Sequence, residues 1–123
     1  MNKFIGKLAY HETSKVAPKI DDAHGAITAC LDTLVHNLKI LSENPSTTSE
    51  VFPKVTSKCL TAIYILQSSL DFEKGKSIAE NLFLLYDYVK DQVLANSKRE
   101  ASANINQAIF VITEIRKSWK LVQ

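Results

Sequence analysis

Glycine and proline are scarce in this chain, at three residues each, and only two cysteines occur. So few turn formers argue against a sandwich or barrel of many short strands, and a glycine-rich phosphate loop has nowhere to sit. Cys30 and Cys59 stand in no C-x-x-C spacing and near no histidine ligand pattern, which speaks against a zinc site or a redox motif. Both are expected to be small buried apolar residues. No apolar run approaches the length of a membrane span, and the amino-terminal MNKFIGKLAY lacks the apolar core and cleavage site of a signal peptide. A reducing cytoplasmic location without membrane insertion is the expectation. A large charge of one sign is also lacking: a net +2 without clustered Lys and Arg points away from nucleic acid and from anionic membranes.

What is present is apolar residues at helical spacing. With 123 residues, 46% of them hydrophobic, the chain is long enough for one domain with its own core and too short for two. A first stripe comprises Ile20, Ala23, Ile27, Leu31, Leu34, Leu38 and Leu41. Pro18 suits its opening, Asp21 and Asp22 suit the positive end of the helix dipole, and Asn44-Pro45 closes it. The second stripe is Phe52, Val55, Cys59, Ile63, Leu66 and Leu70. Thr47 with Glu50 resembles a capping box, but a start at Ser49 or Glu50 conflicts less with Pro53. Gly75 ends the next connection, and Ser77 with Glu80 is expected to cap a third helix carrying Ile78, Leu82, Leu85, Val89 and Val93 and ending near Asn96. Ser97 with Glu100 is expected to cap the fourth, whose stripe is Ile105, Ala108, Ile112, Ile115, Trp119 and Val122. Four helices of about 30 Å each, joined by short connections, predict an all-α, antiparallel up-down four-helix bundle over residues 18–123. Residues 1–17, with Phe4, Ile5, Leu8 and Tyr10 but no sustained period, are expected to form a short cap segment docked on it.

The third helix has more apolar residues than one buried face can use. At 100° per residue Phe83 and Leu94 fall far from its core stripe on one side, and Leu84 with Tyr88 on the other. On the fourth helix Phe110 and Leu121 lie nearly opposite the core, and on the second Tyr64 and Ile65 fall away from it. Such outliers form exposed patches, which mark partner sites, or are covered by the amino-terminal segment. The stripes leave open whether they gather into one groove.

Metal and catalytic chemistry find little support. No Glu is followed by His at the third position, as di-iron bundles require, and His11, His24 and His36 show no catalytic spacing. No cofactor, metal or enzymatic activity is expected. VHNLKI at 35–40 resembles the His-x-x-Lys segment of histidine phosphotransfer domains, which are also four-helix bundles. His36 lies opposite its core stripe, as a phosphoacceptor must, but Ile40 stands where a glycine usually follows the lysine. His24, at the edge of the stripe, reads as a packed histidine. Phosphotransfer through His36 and an unassigned helical interaction module therefore remain as alternatives.

SSLDFEKGKSIAENLFLLYDYVKDQVLAN resembles the flagellar secretion chaperone FliS family. That family's pattern is a Leu-Asp pair, a glycine, Ile-Ala-x-Asn-Leu-x-x-Leu-Tyr-x-Tyr and Ala-Asn. Here these are Leu70, Asp71, Gly75, Ile78, Ala79, Asn81, Leu82, Leu85, Tyr86, Tyr88, Ala95 and Asn96. Arg116 and Trp119 match the ending, and Ala9-Tyr10 the amino-terminal pair. The first helix departs from the pattern, with His24-Gly25-Ala26-Ile27 as the counterpart of a Tyr-Asp-Gly-Ala segment. The resemblance implies a cytoplasmic export chaperone whose outer grooves bind the disordered C-terminal segment of flagellin, preventing premature polymerisation and aiding type III flagellar secretion. The export gate or a co-chaperone are further candidate partners, and the chain is expected as a monomer or weak homodimer. The resemblance implies Tyr10 as a displaceable cap; outward position selects Ile65, Phe83, Leu84, Tyr88 and Phe110 as contacts. Leu82, Leu85, Tyr86 and Trp119 are expected to be mainly core.

Overall fold

The computed structural model of the chain describes residue 10, residues 21–43 and residues 51–121. Four helices make up its framework: α1 (Asp21–Glu43), α2 (Val51–Ser68), α3 (Phe72–Ser97) and α4 (Ile105–Lys120). Each packs on the next and α4 packs back on α1, while the diagonal pairs keep their backbones apart. That ring is a four-helix bundle. Among the described residues there is no strand, only an isolated antiparallel bridge between Tyr10 and Leu70.

The periodicity of the sequence becomes the interior. Ile27, Leu31, Leu34, Leu38 and Leu41 of α1 are buried with Val55, Cys59, Ile63 and Leu66 of α2. Leu82, Val89 and Val93 of α3 and Ile105, Ala108, Ile112, Ile115 and Trp119 of α4 complete the core. Each large aliphatic side chain fully withdrawn from water contributes roughly 1.5–3 kcal/mol, so this shared interior is the main stabilising element. Asn37 is buried among them at little cost, because its Nδ2 donates to the Thr33 carbonyl at 2.8 Å. Between α1 and α4 the Arg116 guanidinium reaches Asp32 at 3.3 Å and Lys120 approaches the same carboxylate at 3.9 Å. This partly exposed clasp is worth at most about 1 kcal/mol and serves mainly to hold the helices in register.

Two helix starts differ from the expectation. α3 begins at Phe72, because Asp71, in extended conformation, accepts the Glu73 and Lys74 N–H groups on Oδ1 at 3.1 and 3.0 Å. The chain then breaks at Lys76, whose φ of 45° and ψ of −124° lie outside the helical region. A single turn, residues 72–75, therefore precedes the long segment, and Gly75 is buried inside α3 rather than ending the connection. α4 begins at Ile105 with Asn104 as its cap, Oδ1 accepting the Gln107 N–H at 3.0 Å, and not at Ser97. Ser97 instead closes α3, donating to the Leu94 carbonyl at 2.7 Å. The connection needs residues 98–104 to turn the chain, with Arg99 at a φ of 59°.

Burial corrects four further expectations. Leu85 is 38% exposed, Ile78 and Phe52 are only half-buried, and Cys30 is half-buried where Cys59 is fully enclosed. Burial pushes the Cys59 thiol up to about 12, and raises that of Cys30 as well. Pro53 falls in the first turn of α2, where its missing N–H has no helical acceptor to lose. Pro18, Ile20, Asn44, Pro45, Thr47, Ser49, Glu50 and Val122, with the cap segment apart from Tyr10, lie outside the described residues. So do the side chains of Asp21, Asp22 and Ala23.

Candidate partner-binding surface

Two aromatic sites on this scaffold differ in what covers them. The first is a socket at which α1, α3 and α4 present Leu31, Leu82, Tyr86, Ile115, Ser118 and Trp119 to Tyr10, around a residual void of about 10 Å³. Tyr10 is only 7% exposed and its hydroxyl is hydrogen-bonded to that of Tyr86. Its ring meets Trp119 edge-on, with centroids 5.4 Å apart and planes at 67°, a favourable arrangement of aromatic quadrupoles. Its backbone bridges to Leu70. Trp119 is itself held: Nε1 donates to Thr28 Oγ1 at 3.0 Å, and His24 stacks on the indole at 4.5 Å. His24 Nε2 lies 3.2 Å from the Trp119 carbonyl, so this histidine is packed with a nitrogen satisfied, in agreement with the sequence. Burial, before any other cause, pushes both the Tyr10 and the Tyr86 phenols well above their ordinary range. Both keep their protons at neutral pH.

The second site is the outer seam between α2 and α3. Phe83, 37% exposed, sits on the flank of α3 facing α2, where Gln67 Nε2 donates to the Phe83 carbonyl at 3.1 Å and to Asp87 Oδ1 at 3.3 Å. Phe72 packs against it with ring centroids 6.1 Å apart. Leu84, beside Phe83, points fully outward and is 64% exposed. Burial does not fill this seam.

The remaining candidates lie elsewhere. Ile65 is exposed on the other flank of α2, where it lines a groove of about 350 Å³ between α1 and α2 with Ala29, Cys30, Thr33 and Ala62. Phe110 is exposed on α4, nearly opposite the buried Ile112. Tyr88 is half-buried and packs against the core, so it offers less new surface than the others. The structure thus sets Phe83 on the flank of α3 that faces α2 with Leu84 turned further outward, holds Tyr10 in the socket, and sets Ile65 and Phe110 on separate faces. His36 is exposed on α1. Phe72 is missing from the sequence-based set because it was assigned to the connection; its pairing with Phe83 follows once Asp71 caps the helix. No group of three or more potential metal ligands occurs among the described residues, and no helix there is long and apolar enough to cross a membrane.

Comparison with known proteins gives a consistent picture. A family model described as flagellar protein FliS matches residues 6–123. A Vibrio cholerae protein named flagellar secretion chaperone FliS is 34% identical over 62 residues, which is 50% of this chain and 46% of that protein. A Salmonella typhimurium protein of the same name is 35% identical over 57 residues, 46% of this chain and 42% of its own length. The chain thus spans less than half the length of the curated relatives it matches. No solved structure matches it.

Proposed function

This chain belongs to the FliS family, and from that premise we propose that it is a cytoplasmic export chaperone for flagellin. It binds the disordered C-terminal segment of flagellin, prevents premature polymerisation and delivers the client to type III flagellar secretion. The observation that carries this reading is the set of large apolar side chains left on the outside of a bundle whose interior is already filled, Phe83, Leu84, Phe110 and Ile65 among them. A segment that folds to a helix against such a surface presents anchors at helical spacing to it.

The magnitudes require several anchors. Burying one large apolar group contributes roughly 1.5–3 kcal/mol, whereas ordering a disordered segment costs about 2–5 kcal/mol or more. Contacts on α2, α3 and α4 together exceed that cost, and one alone does not. Because Ile65, Phe83 and Phe110 stand on separate faces, the client wraps the bundle instead of entering one pocket. Tyr10 acts as the displaceable cap: when the client removes it, the socket opens, and the Tyr86 hydroxyl it leaves behind is taken up by water or by the client.

Titration calorimetry of this chain against the C-terminal segment of flagellin from the same organism tests the reading. Submicromolar affinity with a large negative heat-capacity change is expected, since that signature reports apolar burial coupled to folding. Absence of heat from both the full chain and a chain lacking residues 1–17, with helical circular dichroism intact, contradicts it.

A further inference from the structure

Between the socket and the seam lies the one non-helical residue within a described helix. Lys76, at φ 45° and ψ −124°, occupies a backbone region that glycine enters freely and a lysine does not. Such a conformation persists only where its surroundings impose it, and strained residues of this kind collect at switches and clamps. On its amino-terminal side is the short turn 72–75, held by the Asp71 cap and by the Gly75 N–H, which donates to the Asp71 carbonyl at 2.8 Å. One residue before Asp71 is Leu70, which pairs through its backbone with Tyr10 and is itself buried. On the turn stands Phe72, whose ring leans on Phe83 in the long segment beyond the break. The cap residue, the turn, the strained link and the exposed aromatic pair are therefore consecutive in one mechanical chain.

We propose that residues 70–76 form a strained latch that ties the seating of Tyr10 to the Phe72–Phe83 contact. With Tyr10 docked, its bridge to Leu70 fixes the start of the turn, and Lys76 absorbs the mismatch between the turn and the rest of α3. When Tyr10 leaves, Leu70 loses that constraint, Lys76 relaxes, and the turn swings so that Phe72 moves away from Phe83. Emptying the socket thereby alters the seam, and a client that occupies one site prepares the other. The regulatory meaning rests on the reading of Tyr10 as a displaceable cap. The mechanical link does not require any client.

Native-state hydrogen exchange on the full chain tests it, with the Glu73, Lys74 and Gly75 amides reporting the turn and those of Val89 and Val93 reporting global opening. Tyr10→Ala is expected to accelerate the turn amides by about tenfold relative to Val89 and Val93, within the range that releasing the strain of one such residue supplies. Tyr10→Phe, which keeps the ring edge on Trp119, gives a smaller acceleration of the same amides. Lys76→Gly, which removes the strain from the closed form, slows them by a similar factor. The latch is overturned if Tyr10→Ala speeds the turn no more than it speeds Val89 and Val93, or if Lys76→Gly leaves the turn unchanged. Failure of flagellin to bind would instead appear in calorimetry and leave these exchange rates as they are, so the two failures are distinguishable.

Discussion

The socket and the seam use the same kind of side chain to opposite ends. In the socket Tyr10, Tyr86 and Trp119 are buried, their polar atoms are paired, and the Tyr10 and Trp119 rings pack edge-on. At the seam Phe72 and Phe83 lean on each other but stay 48% and 37% exposed, and Leu84 on the same helix is 64% exposed. An aromatic group contributes to folding stability in proportion to what the chain itself puts around it. What it leaves uncovered is available to a partner. The contrast separates residues that hold this fold from residues that the fold presents.

Truncating each site sharpens that contrast. Trp119→Ala empties the socket wall and strips Tyr10 and His24 of their ring contacts; it is expected to cost about 3–5 kcal/mol in urea unfolding. Phe83→Ala, measured in the same way, is expected to cost well under half as much, and equal losses would break the comparison. Tyr10→Phe has an intermediate effect. It leaves the Tyr86 hydroxyl without its partner in a nearly dry site, a loss of about 1–3 kcal/mol, with helical content unchanged by circular dichroism.

The smallest effect concerns the polar rim of the seam. The Lys90 side chain, and then Gln67, hold the Asp87 carboxyl below its ordinary value of 3.8. Because the folded form has the lower pKa, the associated stability is fully present above about pH 4 and is lost as pH falls through the folded value. Asp87 is partly exposed and its Lys90 contact, at 3.0 Å, is screened by solvent, so the contribution is at most about 0.5 kcal/mol. Asp87→Asn removes that contribution where it is present, so it is expected to lower the neutral plateau of a stability–pH curve by up to about 0.5 kcal/mol and to leave the acid end, below the folded value, unchanged.

Much of the bundle was legible because burial follows a 3.6-residue period, and the stripes of α1, α2 and α4 carry it with few interruptions. Local capping was less legible. Ser77 does stand where the long segment of α3 begins, just past the break at Lys76, but Asp71 caps a short turn before it, and at α4 Asn104 takes the place expected of Ser97, because a cap depends on how the backbone enters the helix and not on spacing alone. Asn104 stands immediately before the first residue of its stripe, a signal that the more distant Ser97 pairing outweighed. Nothing in the identity of Lys76 announces a positive φ, since lysine has no preference for that region and the surrounding structure imposes it. Leu85 fits the three-and-four spacing of its stripe and is expected in the core, but the buried axis of α3 runs through Leu82, Tyr86, Val89 and Val93, which leaves Leu85 at its edge. For the candidate site, outward position found Phe83, Leu84, Phe110 and Ile65 as exposed groups. It could not show that they lie on separate faces, because the relation between helices is not written in the period of any one of them.

Flagellin-segment affinity compared between Tyr10→Ala and Phe83→Ala, by calorimetry with folding checked by circular dichroism, is the most direct measure of the division between a site that the chain covers and a site that it presents. Opposite signs are expected: Tyr10→Ala binds more tightly because no cap has to be displaced, and Phe83→Ala binds about tenfold more weakly because an anchor is gone. Weakening by both to the same degree, or indifference to Phe83→Ala, would contradict that division.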